Sequence, residues 1–247
     1  MNRGHALITG GIGGLGTAMT EKLCAMGIEV ITADRRPEDF PGWRDMLPAS
    51  MRDQVSFFPL DVTKEEAVNE LAATLKSRGV HVAYLINNAG IQGAAKPWKM
   101  DSKTWHRVMN VNITGTFHLT RAFSEAMVEK GFGRIVNLAS VAAYGAAGQG
   151  SYGAAKAAIT GYTRSTALDL AKYGITVNAI APGLIWHPRL EGIVEDSVRE
   201  GMSRSVPMGR TGRPEEIGAT VAFLCSEGAS YITGQTIHVN GGLYLPG

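Results

Sequence analysis

A glycine-rich stretch near the N-terminus constrains the fold of this chain more than any other feature. Residues 10–16 contain five glycines, between an apolar run typical of a buried strand and a helical pattern that begins at Leu15. A glycine-rich turn in this position lets backbone amides approach a pyrophosphate, which then lies at the positive N-terminus of the helix. The stretch therefore favours a dinucleotide-binding βαβ unit.

The glycines alone leave the register of that unit open. Gly11, Gly13 and Gly16 satisfy GxGxxG, while Gly10, Gly13 and Gly16 satisfy TGxxGxxG. Gly10, Gly14 and Gly16 satisfy TGxxxGxG. The stretch indicates a dinucleotide without indicating which family binds it.

Short β-rich runs alternate with longer helical patterns along the whole chain, and the runs are mostly apolar on both faces. This is expected for a parallel sheet that helices cover on both sides. The pattern predicts an α/β fold of the Rossmann type, a doubly wound parallel sheet of about seven strands with helices on both faces. The predicted strands are 6–9, 29–33, 55–60, 82–87, 134–139, 176–180 and 236–239, and the predicted helices are 15–26, 64–78, 102–130, 151–172 and 214–226.

Local markers predict several helix ends. Thr63 stands as an N-cap with Glu66 at the capping-box position, and Gly79 follows the same helix as its C′ glycine. Pro214 is expected at the first position of the last helix. A long irregular stretch, 184–212, is expected to form a substrate-binding loop or lid, with an inserted helix around 193–202.

Composition restricts the class of protein. The 247 residues can bury one sizeable core, which favours a single domain over 1–247. The 24 basic and 22 acidic residues are scattered, so nucleic acid and anionic membranes are not expected partners. Cys24 and Cys225 are far apart and outside metal-ligand spacing, which predicts free buried thiols and no metal site. Without a signal peptide or a long apolar run, the protein is expected to be soluble and cytoplasmic.

Four polar residues suggest chemistry at a carbonyl group. Tyr152 and Lys156 are one helical turn apart, with Ser140 just upstream and Asn112 further back. A phenol ionises near pH 10, and a cation about 4 Å away would stabilise the phenolate by roughly 4 kcal/mol, or about 3 pKa units. Tyr152 could then act as a general acid or base near neutral pH. Alone, the pair could also be an incidental surface pair on a helix.

Together, the motifs resemble the short-chain dehydrogenase/reductase family. They comprise the glycine stretch, Asn87-Asn88-Ala89-Gly90 after the fourth strand, the Tyr152-x-x-x-Lys156 pair and Pro182-Gly183 after the sixth. Their order selects the TGxxxGxG register of family members of about this length. All of them fall at the carboxyl ends of predicted strands, where an open α/β sheet binds its ligand.

The resemblance implies a role for each catalytic candidate. Tyr152 would exchange a proton with the substrate oxygen, while Lys156 would lower the pKa of Tyr152 and hold the nicotinamide ribose. Ser140 would bind the substrate oxygen, although it could simply end its strand. Asn112 would kink the long helix and position a relay water, with Asn110 as the competing candidate and a purely structural role as the alternative.

Further residues are implied to contact the cofactor. Asn88 is expected to fix its strand and turn against the cofactor, a role as much structural as functional. Asp61 and Val62 resemble the pair that contacts adenine, although Asp61 could equally be just a turn residue. His187 occupies the place where the family usually has a threonine that binds the carboxamide, so we hypothesise that His187 lines the nicotinamide end of the pocket. The full implied set is Gly10, Ile12, Gly13, Gly14, Leu15, Gly16, Asp34, Arg35, Asp61, Val62, Asn88, Ala89, Gly90, Tyr152, Lys156, Pro182, Gly183, Ile185 and His187.

The end of the second strand bears on the choice of cofactor. The carboxylate of Asp34 can accept hydrogen bonds from both adenosine ribose hydroxyls and would repel a 2′-phosphate, which favours NAD over NADP. Arg35 and Arg36 point the other way, because arginine just after this strand holds the extra phosphate in NADP-preferring relatives. Ile12 stands where those relatives often have a basic residue.

The substrate is not specified by the sequence. The loop from Ser140 to Tyr152 is one residue shorter than in many relatives, and the pocket is expected to be formed by 91–94, 142–149 and 184–202. The lining lacks clustered charge, which favours a neutral or modestly polar substrate. The substrate contacts predicted are Gln92, Ser140, Tyr144, Gln149, Tyr152 and Trp186.

These residues bear on three candidate functions. The leading prediction is an NAD-dependent oxidoreductase that interconverts a secondary alcohol and a ketone, with Tyr152 moving the proton. The alternative is an NADPH-dependent 3-oxoacyl-thioester reductase, because the Pro207-Met208-Gly209-Arg210 sequence also resembles those proteins. A non-catalytic nucleotide sensor is disfavoured, since it has no need of a tuned phenol. The C-terminal stretch 230–242 resembles a family segment that builds homotetramers, with a dimer as the second choice.

Overall fold

The computed structural model describes residues 3–187 and 195–245, which form one seven-stranded sheet with helices on both faces. The strands are β1 His5–Thr9, β2 Val30–Asp34, β3 Val55–Pro59, β4 Val82–Asn87, β5 Gly133–Leu138, β6 Ile175–Pro182 and β7 Thr236–Val239. The α-helices are α1 Gly14–Ala25, α2 Phe40–Met46, α3 Glu65–Ser77, α4 Ser102–Met109, α5 Gly115–Lys130, α6 Gly150–Leu170, α7 Asp196–Ser205 and α8 Pro214–Cys225.

All neighbouring strands are parallel, in the order β3-β2-β1-β4-β5-β6-β7. The direction of winding changes between β1 and β4, so the loops that follow these two strands leave the sheet in opposite directions. The crevice between such loops is where open α/β sheets bind ligands. The predicted doubly wound sheet is confirmed.

Strands β1 to β6 contribute side chains to two separate apolar cores. In β1, Ala6 and Ile8 point into the core under α1 and α8, whereas Leu7 between them points into the core under α3 and α5. This follows from the two-residue period of a strand. It also explains why the strands are apolar on both faces in the sequence.

Two predicted helix features are wrong. The N-cap of α3 is Lys64 without a side-chain cap, because the Thr63 hydroxyl donates to Asp61 Oδ1 at 2.8 Å instead. The predicted single helix 102–130 is divided into α4 and α5 by a π-helical turn, Asn110–Thr114. Gly79 has the expected left-handed φ of +70°.

The connection after β2 contains a short helix that the sequence patterns did not predict, α2. Its Trp43 is buried, and the indole Nε1 donates to Thr17 Oγ1 at 2.8 Å. Phe40 stacks on Phe57 of β3, with ring centroids 4.9 Å apart. Tertiary contacts therefore hold α2 in spite of Pro41 and Gly42 in its first turn.

The inserted helix of the 184–212 stretch is also present. It is α7, Asp196–Ser205, a few residues later than predicted, and residues 193 and 194 of the prediction lie outside the described residues.

Cys24 and Cys225 are buried free thiols, and burial raises the pKa of Cys24 to about 11 and that of Cys225 to about 12. Within 3–187 and 195–245, no helix is long and apolar enough to cross a membrane.

Candidate active site

A cleft of about 880 Å³ opens at the carboxyl ends of the strands. The glycine loop after β1 and the turn after β4 form one end of it. The end of β5, the start of α6 and the segment after β6 form the other. The cleft therefore extends across the point where the winding of the sheet reverses.

The glycine loop is formed by close backbone packing. Gly10 has a φ of +63°, which favours glycine, and its carbonyl accepts a hydrogen bond from the Gly13 amide. A Cβ on Gly16 would lie 2.5 Å from the carbonyl oxygens of Gly10 and Gly11. A side chain at Gly16 would therefore push the loop away from helix α1.

The turn after β4 is tied to the glycine loop by Asn88. The side-chain amide of Asn88 donates to the Thr9 and Gly10 carbonyls at 2.9 and 3.1 Å. The backbone amides of Asn88 and Ala89 both donate to Thr9 Oγ1 at 3.1 Å. The structural role predicted for Asn88 is therefore present, and Asn88 also lines the cleft.

Asp34 lies in the cleft at the carboxyl end of β2. Its Oδ1 accepts a hydrogen bond from the Arg35 amide at 2.8 Å. Arg36 is paired with two acids, since its Nε lies 3.7 Å from Asp34 Oδ1 and its Nη1 lies 2.8 Å from Asp39 Oδ2. The guanidinium of Arg36 is thus already engaged by two carboxylates.

Tyr152 and Ser140 meet at the other end of the cleft. Ser140 lies two residues after the end of β5 and caps the 3-10 turn Val141–Tyr144, where its hydroxyl accepts a hydrogen bond from the Ala142 amide at 3.1 Å. Burial raises the pKa of Tyr152, and a hydrogen bond with Ser140 offsets part of this effect. The two oxygens are placed so that a carbonyl oxygen could contact both.

Lys156 lies under the tyrosine, one turn along α6. It is 4% exposed, and its Nζ donates to the Leu138 carbonyl at 2.5 Å and lies 5.5 Å from the centre of the Tyr152 ring. Burial lowers the pKa of Lys156 to about 7. The expected lowering of the Tyr152 pKa by Lys156 is therefore not found, because burial disfavours the charged form of both groups.

The π-helical turn places Asn112 beside Lys156. Asn112 is fully buried, and its amide donates to the carbonyls of Ile91 and Val108, both at 2.9 Å. Its Oδ1 has no hydrogen-bond partner among the described residues. A Cβ on Gly90 would lie 2.7 Å from this oxygen and 3.4 Å from Lys156 Nζ, so both atoms face the same spot. Asn110 is exposed, which favours Asn112 as the site residue.

His187 lies over the glycine loop. A Cβ on Gly14 would be 3.0 Å from His187 Cβ, so the imidazole packs directly against the loop that the family uses for phosphates. His187 also lines the cleft, together with Ile185 and Gly183. Its position relative to a nicotinamide ring stays a prediction.

Comparisons with known proteins agree with this geometry. A family model described as enoyl-(acyl carrier protein) reductase matches residues 10–244. The chain is 40% identical to nodulation protein G of Azospirillum brasilense, over 98% of this chain and 99% of that protein. It is 38% identical to the 3-oxoacyl-(acyl-carrier-protein) reductase FabG of Haemophilus influenzae, over 97% and 98%. A crystal structure from Agrobacterium tumefaciens, provisionally assigned as a gluconate dehydrogenase, has a TM-score of 0.92 at 31% identity and covers 99% of this chain and 98% of that one.

The chain belongs to the short-chain dehydrogenase/reductase family. The resemblance inferred from the motifs is confirmed, and the protein is an oxidoreductase of this family. The cleft fits a dinucleotide, because the side-chain-free surface of Gly10 and Gly13 leaves room for a pyrophosphate at the start of α1 and Asp34 lies beyond it.

Most of the predicted site residues of this family member share the cleft. They are Gly10, Gly13, Gly14, Leu15, Asp34, Asn88, Ala89, Gly90, Gln92, Ser140, Gln149, Tyr152, Lys156, Pro182, Gly183, Ile185 and His187.

Eight predicted residues do not line the cleft. Two of them lie beneath the cleft: Gly16 packs under the glycine loop, and Asn112 lies beside Lys156. Trp186 is buried, with the Arg199 guanidinium 4.7 Å above its ring, and Tyr144 stacks on Tyr244. Of the other four, Ile12 is buried in the core and Arg35 is exposed. Asp61 accepts a hydrogen bond from the Thr63 amide, and Val62 packs against Gly115.

Asp61 shows why a motif residue can lie outside the cleft. Burial raises its pKa, but hydrogen bonds from the Thr63 hydroxyl and amide outweigh this, and the pKa is lowered overall. The carboxylate thus holds the turn after β3, and a contact of Asp61 with adenine stays a prediction.

Besides Leu138, Ala139 and Val141, which flank Ser140, the cleft residues outside the predicted site are Leu243 and Tyr244. They follow the last strand and belong to no family motif quoted above. The two glycines before them, Gly241 and Gly242, could have indicated that the chain turns back after β7.

Proposed function

We propose that the protein is a nicotinamide-dependent ketone reductase whose substrates are 3-oxoacyl thioesters. The observation that carries the proposal is that Ser140, Tyr152 and Lys156 share one cleft with the glycine loop. The substrate class is supported by the 3-oxoacyl-(acyl-carrier-protein) reductases that are 35% to 38% identical over nearly the whole chain.

Each side chain has a distinct task in this proposal. A bound nicotinamide cofactor supplies the hydride that reduces the ketone carbon. Ser140 donates a hydrogen bond to the carbonyl oxygen, and Tyr152 transfers its phenolic proton to that oxygen as negative charge develops. Lys156, when protonated, stabilises the phenolate that remains, and Asn112 Oδ1 can hold a water that returns a proton towards Lys156.

The cofactor is NAD(H) in this proposal. The Asp34 carboxylate lines the cleft, and a 2′-phosphate beside it would meet like-charge repulsion. Arg36 is bound to Asp34 and Asp39, so it would have to leave an acid to reach a phosphate. NADP(H) is the competing choice, because Arg35 and Arg36 directly follow Asp34.

A second candidate, an NAD-dependent secondary-alcohol dehydrogenase, is favoured by Asp34 and by the apolar lining near Tyr152. The Pro207-Met208-Gly209-Arg210 sequence does not decide between the two. Arg210 donates to both oxygens of Glu216 at 3.0 and 2.7 Å, so it holds the start of α8 and is not directed into the cleft.

The experiment measures oxidation of NADH and of NADPH, by the absorbance of the reduced nicotinamide, with acetoacetyl thioesters and with simple ketones. The expected result is faster turnover of the thioester and a preference for NADH. Turnover of simple ketones alone would favour the alcohol dehydrogenase. Absence of turnover with every substrate and both cofactors would refute the proposal.

We also propose a homotetramer located in the cytoplasm, with a dimer as the alternative assembly. The support is the likeness of residues 230–242 to the family segment that builds tetramers. Light scattering coupled to size exclusion measures the mass directly, and a monomer would refute the assembly.

A further inference from the structure

The chain turns sharply after β7 and returns to the catalytic cleft. Gly241 and Gly242 have φ values of +62° and +86°, in the left-handed region that other residues rarely adopt. Asn240 fixes the turn with its side chain, since its Oδ1 accepts from the Gly242 amide at 2.9 Å and its Nδ2 donates to the Tyr244 carbonyl at 2.7 Å. The positions of Leu243 and Tyr244 are thus set by the chain itself.

Ring contacts join this tail to the loop between Ser140 and Tyr152. The rings of Tyr144 and Tyr244 are stacked, with centroids 4.2 Å apart and planes inclined by 12°. His238 lies against both rings, at 5.2 and 5.6 Å. Aromatic pairs of this kind stabilise beyond their buried area, so Tyr144 holds Tyr244 in place.

The space that the tail encloses is apolar. Leu243, Tyr244 and Met202 line the cleft with the small residues Ala142 and Ala146. Among the described residues that line the cleft, the acidic side chain is Asp34, at the adenosine end, and the basic ones are Lys156, beneath the tyrosine, and His187, over the glycine loop. A substituent next to the reacting ketone would therefore meet an uncharged wall.

We propose that Leu243 and Tyr244 form a wall that selects substrates by the length of the group entering the cleft, with Tyr144 as a positioning residue. The wall admits a short neutral apolar group. A longer chain must separate the stacked rings, and this costs binding free energy. The inference rests on the proposed function, because it concerns the substrate of the same site.

The test compares 3-oxobutanoyl, 3-oxohexanoyl and 3-oxooctanoyl thioesters of N-acetylcysteamine with either reduced cofactor. For the natural sequence, kcat/KM is expected to fall about tenfold from the shortest to the longest substrate, as a pocket of fixed size would require. Tyr244→Ala is expected to remove this fall, mainly by lowering the KM of the longest substrate. Tyr144→Ala should act in the same direction, and Tyr244→Phe, which keeps the ring, should retain the length preference.

Tyr173→Ala is the matched control, because Tyr173 is exposed and lies outside both the cleft and the 230–242 stretch. Hydrogen exchange supplies a readout that needs no turnover: Tyr244→Ala should speed amide exchange in residues 141–149, whereas Tyr244→Phe and Tyr173→Ala should not. The proposal is overturned if Tyr244→Ala changes kcat/KM equally for all three lengths, or if exchange in 141–149 stays unchanged. Absence of turnover in the natural protein refutes the proposed function instead, while the exchange result still shows whether the tail holds the loop.

Discussion

The two ends of the cleft differ in what forms their surface, which is backbone at one end and side chains at the other. At the dinucleotide end, the surface is backbone, held by contacts such as Gly16 against the Gly10 carbonyl and by the Asn88 amide. At the substrate end, the surface consists of side chains from segments far apart in sequence, including Ala142 and Tyr244. The first end tolerates almost no added atom, whereas the second can change its shape through single side chains.

This difference predicts separate effects of substitution. Changes at the backbone end should alter cofactor affinity and leave the substrate preference alone, and changes at the side-chain end should do the opposite. Lys156 and His187 lie where the two ends meet.

Among the substitutions that compare the two ends, the largest effect on cofactor binding is expected for Gly16→Ala. The added Cβ would lie 2.5 Å from two carbonyl oxygens, so the glycine loop must move away from α1. We expect the dissociation constant of the cofactor to rise up to about 100-fold. Titration calorimetry measures it. The matched control is Gly161→Ala, since a Cβ there meets no heavy atom within 4 Å. Unchanged affinity in Gly16→Ala would contradict the assignment of the loop.

Asp34→Ser tests the same end with a smaller expected effect. Loss of the carboxylate removes charge-assisted hydrogen bonds to the ribose and the repulsion of a 2′-phosphate. We expect the ratio of kcat/KM for NADH to that for NADPH to fall about tenfold. Steady-state kinetics with both cofactors measure the ratio, and a ratio that stays the same would show that Asp34 does not select the cofactor.

Lys156 should make the stability of the fold depend on pH. Its pKa is lowered to about 7 by burial, so between pH 7 and the ordinary lysine value the unfolded chain binds one more proton than the native one. The free energy of unfolding should therefore rise with pH in this window, by at most about 1.4 kcal/mol per pH unit. Denaturant unfolding from pH 7 to pH 9 should show this rise in the natural protein and not in Lys156→Met. The exposed Lys103→Met is the control, and equal pH profiles in all three proteins would contradict the burial effect.

The smallest effect is expected for His187→Ala. The imidazole packs against Gly14 and lines the cleft, so its loss should raise the cofactor KM by about threefold through lost contacts. Steady-state kinetics check this. If both the cofactor KM and kcat are unchanged, His187 has no part in the site.

The same difference explains how much the sequence could predict. Gly10, Asn88, Asp34 and the Tyr152-Lys156 pair act through local backbone geometry or fixed spacing, so their motifs predict both the fold and the dinucleotide end. Nearly all of the sheet follows from the short apolar runs that alternate with helical patterns, and the family is confirmed.

The features that were missed depend on contacts between distant segments. Helix α2 is held by Trp43 on Thr17, which no local pattern contains. Tyr244 reaches the cleft because two glycines turn the chain and Tyr144 receives its ring. The pKa of Lys156 depends on complete burial, which the four-residue spacing from Tyr152 does not specify.

The central claim is that Tyr152 donates the proton in a ketone reduction. The most direct measurement is kcat for acetoacetyl thioester reduction by the natural protein and by Tyr152→Phe, with the cofactor dissociation constant measured alongside. Phenylalanine keeps the ring and removes only the hydroxyl, so we expect kcat to fall about 1000-fold while the cofactor affinity changes little. A Tyr152→Phe protein that retains kcat within a few fold would contradict the account.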